Sequence, residues 1–285
     1  MTSPVSSRRQ WRARSWRLPS LALVVLWSLM LVSPAAAQVQ VSGDTYETPD
    51  PRSITFSIVV SGDPLASAVV SYRVNNPDGV VGGDVRATLP PSGTGPLSAT
   101  LVTNGTSGGS DAYIPVGADL IYSWVLTTRD GEVTRTNPVT FVFLDGRHDW
   151  ESSTEDGVTV YWYDNRDAAL LALRATADSI ADIEALLNAE LPYPVRVIVW
   201  PRESEGEMAQ RTRGGSFDSQ VITGGARVSS DILHIYDALR SFVDVARHEA
   251  AHLVTKVAGD GTFTRLPAWL DEGTAVYSQN DPGRG

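Results

Sequence analysis

The stretch His248-Glu249-Ala250-Ala251-His252 limits the local fold more than any other in the chain. An α-helix turns every 3.6 residues, so two histidines four apart stand one above the other on it. Phe242, Val243, Ala246, Ala250, Leu253, Val254 and Val257 recur around them at helical spacing, on a face separate from the histidines. Ser241 stands where an N-cap belongs and Gly259 where a helix stops. The spacing predicts a helix that buries one side and presents His248 and His252 from another.

Neutral imidazoles in that arrangement can grip one zinc ion, with Glu249 beside a water on the metal. A catalytic zinc takes three protein ligands and leaves a fourth position to water. The run Leu266-Pro267-Ala268-Trp269-Leu270-Asp271-Glu272-Gly273-Thr274-Ala275-Val276-Tyr277 offers the third. Pro267 suits the first turn of a second helix. Glu272 then lies in that helix, with nineteen residues (253–271) between it and His252. Gly273 is expected to remove a side chain where two helices come close. The chain has four histidines, two of them at this spacing. That pairing, with W-L-D-E-G downstream, favours a metal site over a helix with two chance histidines.

H-E-x-x-H followed about twenty residues later by W-L-D-E-G resembles the gluzincin metallopeptidases, the thermolysin-like and aminopeptidase-like clan. The nearer likeness is to the bacterial peptidase MA-like group, whose members similarly carry a signal peptide and a β-rich segment before the motif. The strict motif spans 248–277, and the similarity of layout runs from about 40 to the end. The resemblance implies zinc held by His248, His252 and Glu272, Glu249 as general base, and a peptide or protein substrate. The chain departs from thermolysin-like enzymes at Val276, where they carry an Asp that orients a ligand histidine. Asp271 and Asp244 are the candidates left for that work. The clan also supplies a Tyr or His to the oxyanion, for which Tyr277 is the candidate here. Related enzymes continue into a helical subdomain, whereas this sequence stops at Gly285, so the expectation is a fragment, or a minimal or inactive form.

Composition narrows the remaining classes. A net charge of −10 argues against nucleic acid as a partner, because phosphate binding needs clustered Lys and Arg. The chain has no Cys, which excludes disulfides, thiolate zinc sites and a lipid-modified N-terminal Cys. Residues 1–37 read as a secretory signal peptide. Arg8, Arg9, Arg12, Arg14 and Arg17 precede the apolar run Leu21 to Val32, and Ala35-Ala36-Ala37 supplies a small-residue cleavage site before Gln38. The alternative is an uncleaved anchor, the one membrane attachment expected. The protein is therefore expected to be secreted or extracytoplasmic.

Residues 40–146 read as an all-β immunoglobulin-like or fibronectin-like sandwich. Ser53 to Val60 and Ala68 to Val74 alternate. Leu120 to Thr128 runs into Asp130-Gly131, a hairpin signal, with Val139 to Leu144 as the return strand. Tyr72, Tyr122, Trp124 and Phe141 are expected to be core pairs rather than a sugar-binding platform. Asn104-Gly105-Thr106 matches a glycosylation sequon but reads as a turn.

The pattern changes near Asp145-Gly146-Arg147-His148, and 150–285 reads as an α+β gluzincin-like metallopeptidase domain. Val158 to Tyr163 is a strand. Asp167 to Leu187 is a helix with Leu170, Leu171, Ala177, Ile180, Ala181, Ile183, Leu186 and Leu187 as its apolar set. Pro194 to Val199 and Ile232 to Ile235 are further strands, and 202–220 is a loop or short helix. His234 and His148 are assigned to the core and the domain junction, not to metal. Two functions follow from this reading: an extracytoplasmic zinc peptidase, or a secreted binding protein whose peptidase-like domain holds zinc without useful turnover.

Overall fold

The computed structural model describes residues 38–77, 79, 81–104, 113–210, 225–237, 241–259 and 266–279. The signal segment, the second and third residues of the sequon and residues 211–220 of the expected loop lie outside them. In chain order the first half holds β1 (Gln40–Asp50), β2 (Ser53–Ser61), β3 (Leu65–Asn75), β4 (Val81–Arg86), β5 (Gly95–Val102), β6 (Asp119–Thr128), β7 (Val133–Arg135) and β8 (Val139–Val142). The second half holds β9 (Glu151–Glu155), β10 (Val158–Trp162), α1 (Arg166–Leu187), β11 (Val195–Trp200), α2 (Glu203–Met208), β12 (Gly225–Arg227), β13 (Ile232–Tyr236), α3 (Phe242–Gly259) and α4 (Ala268–Gln279).

The first half is all β. One sheet runs β1-β2-β5 and the other β4-β3-β6-β7, with β8 also paired to β6. Alternation decides the inner faces: Ile54, Phe56, Ile58 and Val60 of β2 and Leu120, Tyr122, Trp124 and Leu126 of β6 are buried in one core. Phe141 joins them, stacked on Tyr46 at 3.7 Å, so these aromatics are core residues. The expected return strand, Val139 to Leu144, forms as the shorter β8, and β7 precedes it nearer Asp130-Gly131. β7 pairs the end of β6 from Val125↔Arg135, and β8 pairs its beginning from Tyr122↔Val139. Pro138 lies in the break, where it lacks the N–H a continuous ladder needs.

The second half is built on a mixed sheet ordered β12-β13-β11-β10-β9, in which β10, β11 and β13 are parallel. α1 carries the crossover from β10 to β11. Asn165 caps its start by accepting the Ala168 N–H at 3.2 Å, and Asn188 ends it in the left-handed region at φ 49°. The buried face of α1 is mostly small: Ala168, Ala169, Ala172, Ala175, Thr176 and Ser179 line it with Leu173, Ile180 and Ile183. Leu171 and Leu186, expected in the apolar set, are exposed. Ala181 of the same set is exposed as well, and small residues at the buried face let α1 approach α3 closely.

Both faces of the parallel strands are covered. Val195, Val197 and Val199 of β11 and Leu233 and Ile235 of β13 point toward the helices. The alternate residues, Ile198, Trp200, Ile232 and Tyr236, join the core of the β half. The sequence pattern changes near 145–148 as read, yet packing does not divide there, and the chain from Val39 onward is one compact unit. Gly117, at φ +99°, sits against Ile198 and Ile232, where a Cβ would lie 3.0 Å from Ile198 Cδ1. Arg196 pairs with Asp119 across the same seam. His234 is fully buried there and its Nε2–H donates to the Val116 carbonyl at 2.9 Å. It is a core residue rather than a cluster member, with Nε2 paired and Nδ1 buried without a hydrogen-bond partner among the described residues.

Two consequences can be measured. Burial of Ile198, Trp200, Ile232 and Tyr236 contributes about 2 kcal/mol or more each, on the order of 8 kcal/mol together. That rivals the whole stability of a typical domain, about 5–15 kcal/mol. A chain of residues 150–285 alone should therefore lack a cooperative unfolding transition and bind hydrophobic dye, whereas 38–285 should not. A cooperative, dye-free 150–285 would show that the β half is a separable spacer.

Burial pushes the His234 imidazole down to about 4 from its ordinary 6.5, the bond to Val116 opposing only in part. The folded-state value is the lower one, so the unfolded chain binds the proton first. The stabilising contribution is intact above pH 6.5 and is lost as pH falls toward 4. Between pH 7.5 and pH 5 the group should remove about 2 kcal/mol of unfolding free energy. Urea titrations of His234→Gln should show that part of the pH slope gone; an unchanged slope would assign it elsewhere.

Candidate metal centre

α3 begins as the sequence reading requires, with the Ser241 carbonyl accepting the Val245 N–H at 3.0 Å, and it runs to Gly259. Ala246, Ala250, Leu253 and Val254 are fully buried against α1 and the sheet. α4 packs on α3 through Thr274, Ala275 and Ser278. The two helices bring His248, His252 and Glu272 together as one group able to hold a metal.

The three donor atoms converge. His248 Nε2 and His252 Nε2 are 3.2 Å apart, and Glu272 Oε2 lies 3.6 Å from the first and 3.8 Å from the second. A tetrahedral zinc about 2.0–2.1 Å from each nitrogen sets its ligands about 3.3 Å apart. The observed triangle fits that ion with little adjustment. The histidine side chains are 20% and 11% exposed and Glu272 is 63% exposed, so the cluster opens on one side toward solvent.

Asp271, rather than Asp244, pairs with one of the clustered histidines. The His252 Nδ1–H donates to Asp271 Oδ1 at 2.7 Å, which leaves the Nε2 lone pair directed at the cluster. Burial works against charge on Asp271, but the Thr255 hydroxyl and the His252 ring outweigh it and hold its carboxyl below the usual range. His248 Nδ1 is buried with no hydrogen-bond partner among the described residues.

Glu249 lies beside the two histidines on the same helix, and its Oε2 accepts the backbone N–H of Arg227 at 3.1 Å. Arg227 belongs to β12, the edge of the mixed sheet among the described residues. Gly225 lets this strand close on α3, because a Cβ there would lie 2.8 Å from Val245 Cγ1. The Arg227 guanidinium donates to the His252 carbonyl at 2.8 Å. β12, the edge strand among the described residues, thus meets α3 at Glu249 and His252.

Two expectations are corrected. Gly273 does not serve a close helix contact, since a Cβ there would meet nothing within 4 Å. It lies on the outward face of α4, and the close packing falls at Thr274 and Ala275 instead. Tyr277 does not face the cluster. It is half exposed and lines a recess with Asp182, Leu186 and Arg247 at the far end of α4, because a helix turns position 277 away from 272. His148, as expected, stays apart from the cluster, stacked on Tyr163 at 3.8 Å.

Sequence reasoning missed Arg247, the residue before the motif. It is buried and bridges three helices. Its Nη2 pairs with Asp182 of α1 at 2.8 Å, and its Nε donates to the Ser278 carbonyl of α4 at 2.5 Å. Its own carbonyl accepts the hydroxyls of Ser179 and Ser278. The signal was present: on the helix circumference position 247 falls between Ala250 and Ala251, on the inward side.

No family model matches the chain, and no curated protein matches it. Solved structures give low-scoring likenesses. A DUF4426 family protein from Pseudomonas aeruginosa is 8% identical, covering 39% of this chain and 92% of its own, with a TM-score of 0.23. A cycloalternan-degrading enzyme from Trueperella pyogenes is 11% identical over 38% of this chain and 15% of its own, TM-score 0.23. A purple acid phosphatase from yellow lupin seeds is 12% identical over 56% of this chain and 28% of its own, TM-score 0.23. The chain spans under a third of the length of these last two.

Arg247→Met should lower the unfolding free energy by about 2 kcal/mol, because the Ser278 carbonyl loses its buried donor. Asp182→Asn, at the exposed end of the pair, should cost under about 1 kcal/mol. Urea denaturation of the two variants decides this; equal losses would place the value of Arg247 in the ion pair instead.

Proposed function

We propose that the chain is an extracytoplasmic zinc-dependent peptidase of the gluzincin type, nearest the peptidase MA-like group, with a fibronectin-like sandwich ahead of an α+β catalytic half. The observation that carries this reading is the triangle of His248 Nε2, His252 Nε2 and Glu272 Oε2, with separations of 3.2, 3.6 and 3.8 Å. A zinc ion bound there supplies Lewis acidity, polarising a substrate carbonyl and bringing a water's pKa to about 7. His248, His252 and Glu272 would hold the ion, and Asp271 would keep His252 in the ligating tautomer.

Glu249 is the general base. It accepts the proton of the attacking water and returns it to the leaving amine. The Arg227 N–H fixes one of its oxygens, which leaves the other carboxylate oxygen for the water. The position of β12 at the sheet edge among the described residues, beside Glu249, supports a peptide substrate, because an extended chain can pair with an edge strand. The net charge of −10 keeps nucleic acid out of the proposal. Export rests on the order of residues 1–37, and no helix among the described residues is long and apolar enough to cross a membrane.

One observation favours a second reading, a secreted zinc-binding protein without useful turnover. Tyr277, the candidate oxyanion donor, is turned toward Asp182 and Leu186 rather than the cluster.

The two readings separate at Glu249. A positioned base contributes about 10² to 10⁴ in rate. Digestion of a peptide library by Glu249→Gln should fall at least about a hundredfold while zinc content stays at the parent level. Glu272→Ala should lose zinc and activity together, and His148→Ala should keep both. Equal cleavage by parent and Glu249→Gln would remove the activity from this site. A zinc-loaded parent that cleaves nothing across the library would favour the binding protein.

A further inference from the structure

We infer that Thr255 is a positioning residue for the metal centre, acting through Asp271 on His252. This rests on the zinc reading of the cluster and extends it one contact outward. Thr255 lies three residues after His252 on α3, hence on the same face of the helix. Its side chain is buried. Its hydroxyl donates to Asp271 Oδ1, the same oxygen that accepts the His252 Nδ1–H at 2.7 Å. The hydroxyl also stands 3.2 Å from the His252 carbonyl, a contact within its own helix. A hydroxyl has one hydrogen, and the carboxylate is the stronger acceptor.

The arrangement gives the hydroxyl a definite task. Asp271 sits on α4 and is a third exposed, so solvent competes for its oxygens. A lone carboxylate there can turn about its side-chain bonds and take the imidazole with it. The Thr255 hydroxyl arrives from α3 and locks the oxygen that the ring uses, so two helices are joined at the atom that sets the His252 tautomer. Glu272 follows Asp271 directly in α4, so the same lock fixes the third ligand against the histidine pair. α4 buries only Thr274, Ala275 and Ser278, all small side chains, and has little apolar area to set its register otherwise.

The test is zinc affinity of the full chain, measured by competition with a chromophoric chelator and independent of peptide cleavage. Outer contacts of metal ligands are worth about 10- to 100-fold in affinity. Thr255→Val keeps the shape and removes the hydroxyl, and should weaken zinc about tenfold. Thr255→Ser restores the donor and should stay within about twofold of the parent. Asp271→Ala should weaken zinc further, and adding Thr255→Val to it should change nothing more, because the hydroxyl has lost its target. Thr255→Val binding zinc like the parent, or an additive loss in the double variant, would overturn the inference and leave the metal site standing. Should Thr255→Val fail to fold, Thr255→Ser at or below the affinity of Asp271→Ala would overturn it equally. A parent that holds no zinc would overturn the reading of the cluster itself, and this inference with it.

Discussion

Parallel strands β10, β11 and β13 must be covered on both faces, and the rest of the structure depends on how that is done. α1 and α3 cover one face through a layer of Val, Leu, Ile and Ala. The β half covers the other through Trp200, Tyr236, Ile198 and Ile232. The sheet is thereby a fixed platform. The edge strand β12 is held to β13 by three register pairs, and β12 in turn meets α3 at Glu249. The all-β half thus acts on the candidate site at a distance, by holding the sheet on which α3 rests.

The centre itself is built by polar contacts between helices more than by apolar area. Arg247 joins α1, α3 and α4 at one end of the bundle, through Asp182 and the Ser278 carbonyl. Asp271, with His252 and Thr255, joins α3 and α4 at the other. Glu272 lies between these two attachments. A directional hydrogen bond fixes an angle, whereas an apolar contact between small side chains tolerates sliding. Three donor atoms within 4 Å of one another need the first kind of restraint. Trp269, Glu272 and Val276 share the outward side of α4, so the apolar residues there play no part in that restraint.

The motif made the centre legible because its information is local. Four-residue spacing on a helix fixes the relative position of His248 and His252 without help from the rest of the chain. The alternation in Ser53 to Val60 and Leu120 to Thr128 is likewise local, and both became strands with the inward residues expected of them. Asp271 was one of two candidates, and only packing separated it from Asp244. The errors fall where a residue's partner is distant in sequence. Gly273 was given a packing role on its neighbourhood alone, and Leu171 and Leu186 were placed inward although alanines fill the α1 interface.

By itself, then, the sequence determined the helix that carries His248, Glu249 and His252, the period-two strands, the change of pattern near 145–148 and the absence of any disulfide. These follow from periodicity, residue chemistry and counting, none of which needs a third dimension. Tertiary structure decided that the β half and the mixed sheet share one core, that Arg227 meets Glu249 and that Thr255 reaches Asp271. Each of these is a contact between segments 16 to 118 residues apart in the chain, such as Thr255 with Asp271 and Val116 with His234. Such contacts depend on how whole elements pack, and a side chain's own neighbours in the sequence carry no record of which surface it will meet.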